Sequence, residues 1–185
     1  MSDDMDETLS STELVSEGKS AYKRGDFSGA ARLFQAASQS YEMIGDVVTS
    51  AEMRNNTSVA YLQSGDGQAA LETVEGTPAI FAAAGDLRRQ GMALGNLGAA
   101  LEAVKRYDEA EEAYHQSADL LGKIGEGEMR SQVLQSLSAL QLRTGRQMEA
   151  LASMQSGLEG LPKPSVKQSI LSRFLKIPSK IVGRP

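Results

Sequence analysis

Residues 98–114 read GAALEAVKRYDEAEEAY, and the reading of this stretch decides the fold. Gly98 and Leu101, three residues apart, share one face of a helix, and a break follows near Lys105 and Arg106. Tyr107, Ala110, Ala113 and Tyr114 then recur at three- and four-residue spacing, the period of a second helix. Gly98 and Ala110 are small enough to let the two axes approach closely. Outward from here the pattern repeats. Ala110 has counterparts at Ala30, Ala70 and Ala150, each 40 residues apart. Twelve residues before each stands a small residue (Gly18, Ser58, Gly98, Ser138), and four after it a larger apolar one (Phe34, Val74, Tyr114, Met154). Five before it come Gly25, Gly65, Lys105 and Gly145. A fixed period in this range is the mark of a stacked array.

The third copy shows the unit. Gly85 followed by Asp86 reads as the end of one helix and the N-cap of the next. Leu87, Leu94, Leu97 and Leu101 form its stripe, and the second segment runs from Tyr107 to Gly125. Each unit is thus a hairpin of two helices of about 17 residues, each about 25 Å long. With 41% hydrophobic residues but only 5% aromatic and no tryptophan, the core must be built from alanine, leucine and methionine between close helices. The expected fold is all-α: four antiparallel hairpins in a solenoid, followed by a C-terminal amphipathic helix. In the second copy, Thr77–Pro78 predicts a kink or break near Glu75–Thr77. In the fourth, Gln141 and Gln147 suggest a more polar outer face.

The frame Gly18, Ala21, Gly25, Phe27, Ala30, Phe34, Ala37, and again Gly98, Leu101, Lys105, Tyr107, Ala110, Tyr114, resembles the tetratricopeptide repeat. The usual period of that family is 34; the 40 found here is similar to the longer repeats of kinesin-light-chain type. The resemblance covers roughly residues 11–160. It implies a concave surface lined by the first helices, which holds an extended peptide, and a non-catalytic scaffold or adaptor.

The boundaries that follow are an acidic segment at 1–10, expected to be disordered, and repeats at about 11–50, 51–90, 91–130 and 131–160. A basic tail occupies 161–185. The net charge of −5 divides unevenly, since from Leu161 onward there are six basic residues and no acidic one. An acidic body is a poor nucleic-acid surface. Within the tail, Ser165 is positioned to cap a helix ending near Ile177 before Pro178. Val166, Ile170, Leu171, Phe174, Leu175 and Ile177 take one half of its circumference. This helix caps the fourth repeat, or else forms a basic contact with a membrane surface or another protein through Lys167, Arg173, Phe174 and Lys176. Self-association through the tail is a further possibility. No apolar run is long enough to span a bilayer, and the opening residues do not read as a secretory signal. A cytoplasmic location is expected.

The inventory argues against an enzyme. There is no cysteine and one histidine, His115, so no zinc set or catalytic triad can be assembled. Gly91, Gly95 and Gly98 lie inside a helix with no preceding strand, so they are packing positions rather than a dinucleotide loop. No catalytic residue, cofactor or metal is expected. The expected site is the groove. Fourteen residues before each framework alanine lie Ser16, Asn56, Asn96 and Ser136. The resemblance implies that Asn56 and Asn96 hold a peptide backbone, each amide offering donor and acceptor. Asn55, Gln63, Gln135 and Arg143 complete the expected groove, with Lys19, Lys23, Val59, Ala99 and Ala103 nearby.

Overall fold

The computed structural model describes residues 9–159. It is all-helical there. The elements are α1 (Ser11–Lys23), α2 (Phe27–Met43), α3 (Val47–Ser64), α4 (Gly67–Val74), α5 (Thr77–Ala83), α6 (Leu87–Ala103), α7 (Tyr107–Lys123), α8 (Gly127–Arg143) and α9 (Gln147–Glu159). Helices α1/α2, α3/α4–α5, α6/α7 and α8/α9 form the four hairpins, and each hairpin packs on the next. The boundaries expected from sequence fall about one helical turn inside the following hairpin. The capping helix expected at 165–177 lies outside the described residues.

One turn builds the whole array, and its spacing is 20 residues, half the period read from the alanines. Gly25, Gly45, Gly65, Gly85, Lys105, Gly125 and Gly145 all have positive φ. Each donates its N–H to the carbonyl three residues back, and the next residue donates to the carbonyl five back, as in Asp26 N–H to Ala21 O at 3.0 Å. This is the Schellman arrangement, which satisfies the last carbonyls of a helix. The residue after the turn then starts the following helix. Asp26, Asp46, Asp66 and Asp86 each accept a backbone N–H three residues ahead. One aspartate therefore closes one helix and caps the next.

The small positions solve a packing problem in two ways. In hairpins one and three, a Cβ on Gly18 or Gly98 would stand 2.7 Å from the ring of Phe34 or Tyr114. The ring lies over bare backbone. In hairpins two and four, Ser58 and Ser138 hydroxyls donate to the carbonyls of Ala70 (2.9 Å) and Ala150 (2.8 Å), and the facing residues are Val74 and Met154. Gly67, where the repeat frame has an aromatic, is explained similarly. A Cβ there would meet that of Ala103 at 2.7 Å. The framework alanines are fully buried, and the largest core cluster runs through α4, α6, α7 and α8.

The second hairpin breaks where Pro78 predicts. Glu75 is extended and Gly76 is left-handed (φ 83°), and Pro78 sits in the first turn of α5, where its missing N–H costs nothing. The carbonyls released by the break are recaptured. Arg54 donates to Thr73 O (3.0 Å) and Glu75 O (2.7 Å), and Thr77 Oγ1 donates to Val74 O (2.9 Å). The redirected α5 inserts Phe81 against Ala51 and Ala93. Two sequence expectations are corrected. Gln141 is buried, not on an outer face, because Ser153 Oγ donates to its carbonyl (2.8 Å) and its amide donates to Glu111 (2.8 Å). Leu87, read as part of the apolar stripe, is exposed.

Candidate functional site

The first helices α1, α3, α6 and α8 line a trough made of three pockets. Lys19, Tyr22, Lys23, Phe34, Asn56 and Val59 enclose about 280 Å³ between α1 and α3. Glu52, Asn55, Asn56, Phe81, Arg88, Arg89, Met92 and Asn96 enclose about 220 Å³ around α3 and α6. The third, about 290 Å³, lies between α6 and α8 and includes Met92, Asn96, Ala99, Gln132, Val133 and Ser136. Asn56 borders the first two pockets, and Asn96 with Met92 borders the second and third. The junctions of the trough are therefore amides.

The three asparagines differ in what they have left to offer. Asn55 is 8% exposed. Its amide nitrogen lies 3.3 Å from both Ala51 O and Thr77 Oγ1, so it braces the helix break. Its oxygen accepts from Asn96 Nδ2 at 3.3 Å. Asn96 is thereby oriented, with its own oxygen free to accept. The Asn56 side chain forms no hydrogen bond among the described residues, so its whole amide is available. The remaining expected groove residues lie elsewhere. Gln63 is exposed near the end of α3. Gln135 is exposed and reaches Ser131 Oγ at 3.4 Å. Arg143 pairs with Glu102 at 2.7 Å, and Glu102 in turn accepts from the Tyr114 hydroxyl at 3.0 Å. Burial, reinforced by the Glu102 charge, pushes the Tyr114 phenol well above its ordinary range. None of these three lines the pockets. Lys167, Arg173, Phe174 and Lys176 lie outside the described residues.

Charge in the trough is graded. In the middle pocket, Arg89 is held by Glu52 (3.1 Å) and Asp86 (3.3 Å), and Arg88 by Glu126 (2.8 Å). Lys19 and Lys23, at the other end, have no carboxylate partner among the described residues. Sequence reasoning missed Glu52 and Phe81 as lining residues. For Glu52 the signal was there, since it lies one helical turn before Asn56. Outside the trough, Glu111 joins the third and fourth hairpins. Burial works to raise its pKa, but hydrogen bonds from Gln141 and Arg146 outweigh this and hold it below the ordinary carboxylate range. Among the described residues no cluster of three or more metal-ligating side chains occurs, and no helix is long and apolar enough to cross a membrane.

Stacked hairpins with a lined concave face define a class, the helical-repeat interaction scaffold. Residues 89–163 match the family model of the tetratricopeptide repeat. Among the solved structures similar to the chain are two of MamA. One, described as MamA protein, is 21% identical with a TM-score of 0.48, over 81% of this chain and 91% of that one. The other is 21% identical with a TM-score of 0.49, over 77% and 93%. No curated protein matches the sequence.

Proposed function

We propose that this scaffold is a non-catalytic adaptor that takes an extended segment of a partner protein along the trough. The observation that carries the reading is the position of Asn56 and Asn96 at the two pocket junctions. An extended peptide presents backbone N–H and C=O groups at regular steps, and its side chains drop to alternate sides. Amides at the junctions meet the backbone, and the pockets between them receive side chains. The first pocket, floored by Tyr22, Phe34 and Val59, suits an apolar side chain. The middle one, with its paired arginines, suits a polar one. Membrane attachment through residues 161–185, the other function expected from sequence, rests on residues outside the described part.

The test begins with selection of a random peptide library on the full chain, followed by titration of the recovered peptide. Asn56→Ala with Asn96→Ala removes two to four hydrogen bonds at about 0.5–1.5 kcal/mol each, a tenfold or greater loss of affinity. The melting temperature should barely move. Unchanged affinity in the double variant would overturn the assignment.

A further inference from the structure

The turns at Gly45, Gly85 and Gly125 join one hairpin to the next, and in an array of antiparallel helices they share one edge. At that edge the chain exposes large apolar side chains that the turn itself does not need. Met43, Ile44 and Val47 around Gly45 are 82%, 72% and 52% exposed, and Leu87 beside Gly85 is 44% exposed. On the opposite edge the same turn carries Lys23 and Arg24, Gln63 and Ser64, or Arg143 and Thr144. Where it carries Val104 and Tyr107, both pack against the core. Scattered exposed apolar residues are ordinary, but four on adjacent turns form a patch of the kind that marks an interface. We propose that this edge pairs with the same edge of a second copy of the chain across a two-fold axis.

The two halves of the patch are complementary in shape and in charge. Met43 and Ile44 project from the first turn. Forty residues on, the equivalent positions are Ala83 and Ala84, both exposed. An axis between the turns sets the large side chains of one copy over the small ones of the other, twice, and Val47 meets Leu87 across it. Val48 and Ile80, half-buried against Ala51, Phe81 and Ala93, close the floor between the turns. The charges follow the same order. Glu42, at the first turn, is exposed and has no cationic partner among the described residues. Arg88, at the second, is exposed and pairs there only with Glu126. The same rotation brings each Glu42 to the Arg88 of the other copy. Such a contact is isologous, so it closes at two chains. An anionic lipid surface fits the patch less well, because Glu42, Asp46 and Asp86 flank it. Hydrogen bonds from Thr49 hold the Asp46 carboxyl below its ordinary range, so it keeps its charge.

An interface of this size is small, and association in the micromolar range is expected. Sedimentation equilibrium of the full chain should show twice the monomer mass as concentration rises through that range. Ile44→Glu with Val47→Glu should raise the dissociation constant about tenfold or more. Melting temperature and helical circular dichroism should not change, because both side chains are exposed. Glu42→Arg alone and Arg88→Glu alone should each weaken the dimer several-fold, and the two together should restore it, since the exchanged charges meet again. Arg88 also borders the middle pocket, so mass and not peptide affinity is the readout. A monomer at every concentration overturns the proposal, as does a dimer that the apolar variant leaves intact. Failure of the double exchange to restore pairing overturns the two-fold register. Binding of the monomeric chain to phosphatidylcholine vesicles, lost in the apolar variant, would overturn it in favour of a lipid surface.

Discussion

Lys105 shows how narrow the tolerance of this chain is at single positions. It is the one non-glycine residue with positive φ (65°) among the described residues, and it occupies a turn that glycine fills six times. An L-residue in that conformation costs roughly 1–2 kcal/mol relative to glycine, partly offset by the greater freedom glycine has when unfolded. Lys105→Gly should therefore stabilise the chain by about 0.5–1 kcal/mol, read as a rise in melting temperature of about 1–4 °C. The glycine–ring contacts give a second expectation. Gly98→Ser places a Cβ against the Tyr114 ring and should cost about 1–3 kcal/mol. Adding Tyr114→Val reproduces the pairing of Ser58 with Val74, where the hydroxyl reaches a carbonyl. A double-mutant cycle by denaturant melts should show the second change recovering part of the first loss. Strict additivity would mean that the two hairpin types are not alternative solutions to one contact.

At the scale of the element, the broken helix of the second hairpin carries the most information. Arg54 satisfies two carbonyls that an unbroken helix would use itself. Arg54→Met keeps the length of the side chain and removes both bonds. The expected cost is about 1–3 kcal/mol, with faster amide exchange concentrated over residues 74–83. Exchange that speeds up evenly along the chain would count against a bracing role. The break itself was legible in Thr77–Pro78, because proline acts through local sterics. Arg54 and Asn55 as its braces were not, because the partners lie about 20 residues apart and meet only after α3 and α4 have packed. The half-period of 20 was also missed. Turns at Gly–Asp, Lys–Arg, Gly–Glu and Gly–Arg share a backbone geometry but not a residue pair. Periodicity gave the equivalent frame positions of Asn56 and Asn96, and the family resemblance assigned them to the groove. Periodicity failed for Gln141, whose neighbours on other helices turn its polar side chain inward.

For the whole molecule, stability in a stacked array is the sum of hairpin and interface contributions, so a weakened interface releases one end before the rest. At the junction of the third and fourth hairpins, Glu111 adds a polar contact to the buried cluster of Ala113, Tyr114, Leu134 and Leu137: it accepts from Gln141 and pairs with Arg146; His115 lies 3.8 Å away, and Arg146 also approaches Glu149 at 3.7 Å. The folded pKa of Glu111 lies below its unfolded value. The unfolded state therefore binds the proton more readily. The contribution of Glu111 is complete above the unfolded carboxylate range of about 4.3 and is lost as pH falls through the lowered folded value. Acidification from neutral should loosen residues 127–159 before residues 11–123, seen as earlier amide exchange in α8 and α9. Glu111→Gln keeps the shape but removes the charge, so it should weaken the junction at neutral pH and flatten its acid dependence. An acid limb of the same steepness in wild type and variant would place the responsible carboxylate elsewhere.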